Sequence, residues 1–192
     1  MELITCVCLT MASRKDFLLR AADCFDRQTY PNRELIIVAD EALTVGEKRN
    51  MGCQRARGSL IAIWDDDDVS GPHRLEIQEH LLRISGKSVT AFKQLPFAQN
   101  GEWWMSPATD KEGVDTSLFF RRDFWETHPF QEIMIGQDAA FSRQAIVEKK
   151  FLLTEECGVM FAENHPGNTC DRTVLAPGWT KLPNFKWQDS HV

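Results

Sequence analysis

Three short apolar, β-prone runs separated by segments of helical character restrict the fold of this chain more than any other feature. The runs span residues 3–9, residues 34–39 (Glu34-Leu35-Ile36-Ile37-Val38-Ala39, ending at Asp40) and residues 60–64 (Leu60-Ile61-Ala62-Ile63-Trp64). Between the first two, Phe17, Leu18, Ala21 and Phe25 recur at helical spacing up to about Arg27, behind Ser13 as the expected N-cap. Between the second and third, Glu47 to Arg57 reads as a helix stopped by Gly58. Such a β-α-β-α-β order implies a parallel sheet covered by helices, because parallel strands need crossover connections and those connections lie on the sheet faces. Ligands of such sheets bind beyond the carboxyl ends of the strands. Asp40 and the aspartates after Trp64 fall at those ends.

The pattern changes in the second half. Pro72 suits the first turn of a helix running to about Ile84. Ser88 to Gln94 and Glu102 to Ser106 read as strands flanking Asn100-Gly101, a hairpin signal in a loop longer than two residues. Thr116 to Arg121 then reads as a strand, Asp138 to Lys149 as a helix, and Phe151 to Thr154 and Val159 to Glu163 as short strands. Trp103 and Trp104, adjacent on one strand, should point to opposite faces, one into the core and one free for a ligand. From Asn164 onward, Pro166, Gly167, Pro177, Gly178 and Pro183 mark a loop-rich tail.

With 192 residues, and roughly 150 per domain, one α/β domain with a small antiparallel extension is expected. A content of 43% hydrophobic and 26% charged residues excludes disordered and fibrous architectures. No apolar run reaches the ~18 residues of a membrane span, and the N-terminus lacks the basic and cleavage segments of a signal peptide. The expected location is cytoplasmic. The six cysteines (Cys6, Cys8, Cys24, Cys53, Cys157, Cys170) form no Cys-x-x-Cys pair, so they read as small buried hydrophobes and not as a zinc ribbon or a redox motif.

The formal charge is −6, and four of the acids are consecutive, Asp65 to Asp68; without them the chain would carry −2. Charge concentrated at one strand end points to a site, whereas evenly spread charge points to solubility. Adjacent carboxylates repel and need compensation, which a divalent cation supplies; magnesium and manganese take oxygen ligands and bridge carboxylates to substrate phosphates. In extended chain Asp65 and Asp67 would face one target. A solvated acidic turn is the alternative. A calcium loop fails in both registers: from Asp66 the twelfth position is Ile77, and from Asp65 the required glycine is Ser70. Asp65-x-Asp67-x-Val69 also fits a haloacid-dehalogenase-type phosphatase motif, but no downstream aspartate pair completes it.

Several motifs then occur in a specific order: Thr10-Met11-Ala12-Ser13-Arg14 after the first run; Gln28 to Asp40 across the second; Lys48-Arg49-Asn50-x-Gly52-x-x-x-Ala56-x-Gly58; Ile61 to Asp68; Leu118-Phe119-Phe120-Arg121-Arg122; Ile135-Gly136-Gln137-Asp138; and His165-Pro166-Gly167-Asn168-Thr169. Together, over residues 3–170, they resemble the family-two glycosyltransferases of GT-A fold. The resemblance implies a Rossmann-like, mostly parallel central sheet flanked by helices, with a nucleotide-sugar-binding half over about 1–70, an acceptor and catalytic half over about 71–170, and a loop-rich tail over 171–192. It implies an inverting, metal-dependent enzyme that uses Mn2+ or Mg2+ to move a sugar from a nucleotide-diphospho-sugar, with a UDP-sugar as the expected donor, to an acceptor hydroxyl.

By the same resemblance, Asp40 would bind the nucleotide base, Thr10, Ala12 and Arg14 would line the nucleotide, and Arg49 and Asn50 would approach base or ribose. Asp65 and Asp67 match the Asp-x-Asp motif that holds the metal in that family, Asp66 would lie near the ribose or behind the metal ligands, Asp68 would support the metal ligands, and His165 looks like the late histidine that reaches metal or diphosphate. Asp138 would be the general base, although Gln137 stands where the family carries an acid. From the residues alone, Asp40 is also a strand-end cap, Arg14 a surface charge, His165 a structural histidine and Asp138 a helix N-cap. Lys48 remains open between solvation and binding, and Arg121 and Arg122 carry no assignment. The acceptor is open among a glycan, a small molecule and a nucleic acid, the last disfavoured by the chain's acidity. A nucleotidyl- or phosphotransferase on the same aspartates and a non-catalytic nucleotide-sugar-binding module are the alternative functions.

Overall fold

The structure is a computed structural model that describes residues 1–155, 158–168 and 177–187. Cys157, Cys170 and the remainder of the tail lie outside the described residues. Along the chain the elements are β1 (Ile4–Leu9), a 3-10 turn (Ala12–Arg14), α1 (Lys15–Asp26), β2 (Arg33–Val38), α2 (Val45–Arg55), β3 (Leu60–Ile63), β4 (Val69–Ser70), α3 (Arg74–Ser85), β5 (Val89–Phe92), β6 (Pro96–Gln99) and β7 (Glu102–Met105). They continue with a 3-10 turn (Asp115–Ser117), β8 (Phe119–Arg121), α4 (Arg122–Thr127), α5 (Gln137–Val147), β9 (Phe151–Thr154), β10 (Met160–Glu163) and β11 (Thr180–Lys181). No helix among the described residues is long and apolar enough to cross a membrane.

The strands form two sheets, ordered β2-β1-β3-β8-β5-β9 and β11-β7-β6-β10-β4. β1 pairs in parallel with β2 (Ile4 opposite Arg33) and with β3 (Ile4 opposite Leu60), as the alternating apolar runs require. β8 enters antiparallel between β3 and β5, and β9 restores parallel pairing with β5. Period-two alternation sorts β1 between two cores. Cys6 and Cys8 face one that contains Ala21 and Cys24 of α1 and Leu75 and Leu82 of α3, while Val7 faces another with Cys53 of α2 and Phe141 and Ala145 of α5. Cys6, Cys8, Cys24 and Cys53 are free and buried, as small hydrophobes should be.

Three local expectations change. Ser13 lies inside the 3-10 turn, and α1 starts at Lys15 behind Arg14, which makes no side-chain cap. α2 starts two residues before Glu47, because Thr44 Oγ1 accepts from Glu47 N (3.2 Å) while Glu47 Oε2 accepts from Thr44 N (2.8 Å), a reciprocal capping box. Gly58 lies beyond the helix end, where a Cβ would sit 2.5 Å from the Leu3 carbonyl oxygen. The hairpin around Asn100-Gly101 joins β6 to β7 through a two-residue loop with φ of 52° and 77°, the left-handed pair that a twisted tight hairpin needs. Its first strand is Pro96–Gln99, inside the expected loop, and β5 ends at Phe92. On β7 the two tryptophans do diverge. Trp103 packs edge-on to Phe161 (centroids 4.8 Å apart), and Trp104 carries the Lys181 ammonium over its ring at 5.4 Å.

The step from β3 to β4 positions the aspartates. β3 belongs to the first sheet and β4 to the second, where it pairs antiparallel with β10 (Val69 opposite Phe161). Trp64 to Asp68 is therefore the crossover between the two sheets.

Candidate active site

A cleft of about 250 Å3 opens at the carboxyl ends of β1 and β3 and is lined by Thr10, Arg14, Lys48, Arg49, Asp65 to Asp68, Asp115, Gln137, Asp138 and Asn168, among others. The crossover delivers the aspartates as a turn, with Asp68 N donating to Asp65 O at 3.5 Å. The chain here is a turn and not extended: Asp65 faces Arg49, while Asp66 and Asp67 both reach Arg14. The Asp65 side chain is 25% exposed and faces Arg49 Nη2 at 3.9 Å; burial pushes its carboxyl up, with Arg49 opposing. Asp66 is buried, accepts from Thr10 Oγ1 (2.7 Å) and pairs with Arg14 Nη1 (3.0 Å). Burial pushes it up to about 6, against the pull of Thr10 and Arg14.

Asp67 is the point of convergence. Its Oδ2 accepts from Arg14 Nη2 and from Asn168 Nδ2 (3.0 Å), and His165 Nε2 lies 3.2 Å away. The imidazole stacks on Phe17 with centroids 4.8 Å apart. Asp68 turns inward to the Thr116 hydroxyl. Beneath, the buried Arg74 guanidinium holds the frame by donating to Ile63 O (2.8 Å), Thr116 O (3.1 Å) and Ser70 Oγ (2.9 Å). These bonds satisfy a cation that burial would otherwise destabilise.

Across the cleft, α5 begins after Gly136, whose φ of 87° turns the chain into the helix. Asp138 is its second residue and not its N-cap; its Oδ1 accepts from Ala139 N (2.8 Å). Burial pushes the Asp138 carboxyl up to about 7, helped by a hydrogen bond with Asp115 and by that neighbour's charge, with Arg49 opposing. Gln137 Oε1 accepts from Arg49 Nη1 at 2.7 Å. The amide thus orients Arg49 without neutralising it, where an acid would form an ion pair.

Of the sequence-predicted residues, the structure brings Thr10, Arg14, Arg49, Asp65, Asp66, Asp67 and Asp138 into this cleft, with His165 beside Asp67. Three lie elsewhere. Asp40 and Ala12 line a separate, more open depression with Val38, Met51 and Arg55, where Asp40 Oδ1 accepts from Ala42 N (3.0 Å). Asn50 faces the interior: its Nδ2 donates to Phe130 O (2.8 Å), and its Oδ1 accepts from Trp125 Nε1 and Phe130 N (both 3.0 Å). Lys48 does line the cleft. Asp115, Thr116, Arg74 and Asn168 had no assigned role, and only Asn168 lay in a quoted motif, next to His165.

Among the described residues no three His, Cys, Asp or Glu side chains gather closely enough to hold a metal by themselves. The donor chemistry nevertheless suits a hard cation, because Asp67 supplies a carboxylate oxygen with the His165 nitrogen 3.2 Å from it. Mg2+ in particular is commonly held by one or two carboxylates and completed by substrate phosphates.

No protein-family model matches the sequence, and no curated protein matches it. Solved structures do match its shape. The structure of S. aureus TarS 1-349 in complex with UDP superposes with a TM-score of 0.68 at 11% identity, covering 85% of this chain and 61% of that one. The complex of TarS 1-349 with UDP-GlcNAc gives a TM-score of 0.70 at 11% identity, covering 87% and 60%. This chain spans 37% of the longer TarS structure. The α/β arrangement expected from the sequence, a mostly parallel sheet flanked by helices in the manner of a GT-A glycosyltransferase, is the fold the chain has.

Proposed function

We propose that this chain is a glycosyltransferase domain that binds a nucleotide-diphospho-sugar in the cleft and transfers its sugar to an acceptor hydroxyl. The observation that carries this reading is the pairing, across one cleft, of the Asp65 to Asp67 turn with a carboxyl at Asp138 pushed up to about 7. The TarS complexes contain UDP and UDP-GlcNAc, which supports a UDP-sugar donor. The acceptor we propose is a glycan or a small molecule.

Asp67 and His165, with Asp65 at the cleft wall, would hold Mn2+ or Mg2+. Such an ion, when bound, offsets the charge of the departing diphosphate. Arg14, Lys48 and Arg49 bring further positive charge to the wall that would face the phosphates. Asp138, ionised, takes the proton from the acceptor hydroxyl. That oxygen forms a bond to the anomeric carbon as the bond from this carbon to the diphosphate oxygen breaks. The nucleoside diphosphate leaves with the bonding pair, and attack from the opposite face inverts the anomeric configuration. A carboxyl titrating near 7 suits general-base chemistry at neutral pH.

The test is incubation with a panel of UDP-sugars, Mn2+ and acceptors, followed by separation of the nucleotides. Release of UDP together with glycosylated acceptor is expected. Release of UMP would move the site to transfer of a sugar phosphate, release of sugar phosphate with UMP on the acceptor would move it to nucleotidyl transfer, and donor binding without any turnover would make the chain a binding module.

A further inference from the structure

The Arg14 guanidinium spans two carboxylates. Nη1 lies 3.0 Å from Asp66 Oδ1, and Nη2 donates to Asp67 Oδ2, the same oxygen approached by His165 and Asn168. The arrangement is built into the fold. Arg14 closes the 3-10 turn after β1 through its N–H to Met11 O (3.0 Å), and its guanidinium carbon lies 5.1 Å from the centroid of the Phe17 ring on which His165 stacks. The side chains of Asp66 and Asp67 are 1% and 12% exposed, so two neighbouring carboxylates are kept out of water. Of their other partners, Thr10 and Asn168 are neutral and His165 carries charge only when protonated, which leaves Arg14 as the permanent cation bonded to both carboxylates. Buried like charges need compensation, by a proton or by a cation, and a planar guanidinium is suited to bridging two carboxylates.

We propose that Arg14 is the resident counter-cation of the Asp66 and Asp67 pair, and that a divalent ion binds by displacing it. The proposal rests on reading Asp67 as an ion ligand. Asp67 Oδ2 already meets Arg14 Nη2, Asn168 Nδ2 and His165 Nε2, so an ion that takes this oxygen competes with the guanidinium for it, and the two cations repel. Displacement weakens the protein's intrinsic affinity for the ion. It also frees a positive charge inside the cleft, where a nucleoside diphosphate is the complementary anion.

The experiment is direct titration of Mn2+ into the metal-free protein, with free Mn2+ read by electron paramagnetic resonance, for the wild type, Arg14→Gln, Arg14→Ala and Asp67→Ala. Both Arg14 variants are expected to bind Mn2+ about tenfold tighter, the scale of one lost charge-assisted contact, and Asp67→Ala is expected to lose binding. Arg14 variants that bind equally or more weakly, with Asp67→Ala still deficient, would overturn the displacement and leave the ion site standing. Absence of any Asp67-dependent Mn2+ binding would overturn both. Thermal melting gives the second readout. In EDTA the melting temperature of Arg14→Gln should fall, and Mn2+ should raise it more than it raises the wild type's. An unchanged melting temperature in EDTA would remove the counter-cation role, and Arg14→Gln keeps this measurable if the alanine variant does not fold.

Discussion

The two walls of the cleft meet the same electrostatic problem in different ways. On the β3 side, Asp66 and Asp67 are neighbours compensated by the Arg14 guanidinium, one Nη atom to each carboxylate. On the α5 side, burial pushes Asp138 up to about 7, helped by its hydrogen bond with the neighbouring Asp115 and by that neighbour's charge, so this pair can hold a proton. A guanidinium neutralises one wall with a charge built into the fold. A shared proton leaves the other wall able to give or take a proton near neutrality. The difference teaches that the number of carboxylates in a cleft does not set its chemistry; the nature of the compensating charge does.

Replacing Asp138 by Asn breaks the contrast most severely. Turnover is expected to fall by about a hundredfold or more, while UDP affinity, measured by calorimetry, stays near that of the wild type. An equal loss of both would reduce Asp138 to a structural residue. A finer change is Asp115→Asn. Because Asp115 raises the Asp138 carboxyl, wild-type rates should climb as pH passes through about 7, and the variant's inflection should lie lower. An unmoved inflection would separate the two acids. The smallest effect is on stability. A carboxyl raised from 3.8 to about 7 binds its proton more tightly in the folded chain. It therefore favours folding at acid pH, and that contribution is lost as pH rises through this window. Asp138→Asn should melt about 3 °C above the wild type at pH 8 and level with it near pH 3.5; a variant that melts lower at pH 8 would contradict the sign.

How much of this was legible in the sequence follows the range of the interactions. β1, β2 and β3 were readable within a residue or two, because parallel buried strands are continuous apolar runs. The aspartate turn was readable because consecutive like charges are conspicuous. The first strand of the hairpin is not legible because Pro96, which ordinarily argues against a strand, opens it, and only Lys93-Gln94 and Leu95 separate it from β5 in the other sheet. Asn50 looked like a ligand residue, yet its partner is the Phe130 backbone 80 positions away. Asp115 offered no signal at all. It is one acid in an irregular segment, brought to Asp138 because the chain folds β8 antiparallel against β3 and then returns through α4 to α5. The GT-A resemblance implies nucleotide contacts for Asp40 and Ala12, and these two line a depression apart from the cleft that holds Asp138.

The crossover from β3 to β4 has one more consequence. Binding loops commonly accept insertions and deletions, since only their ends are constrained. Here Trp64 N is bonded to Val7 O at 3.0 Å in one sheet and Gly71 N to Val159 O at 2.8 Å in the other. Adding or removing a single residue between them would shift β4 in its pairing with β10 and turn its side chains to the wrong face. The length of the aspartate run is therefore fixed by the joining of two sheets, and sequence change in this segment is confined to substitution.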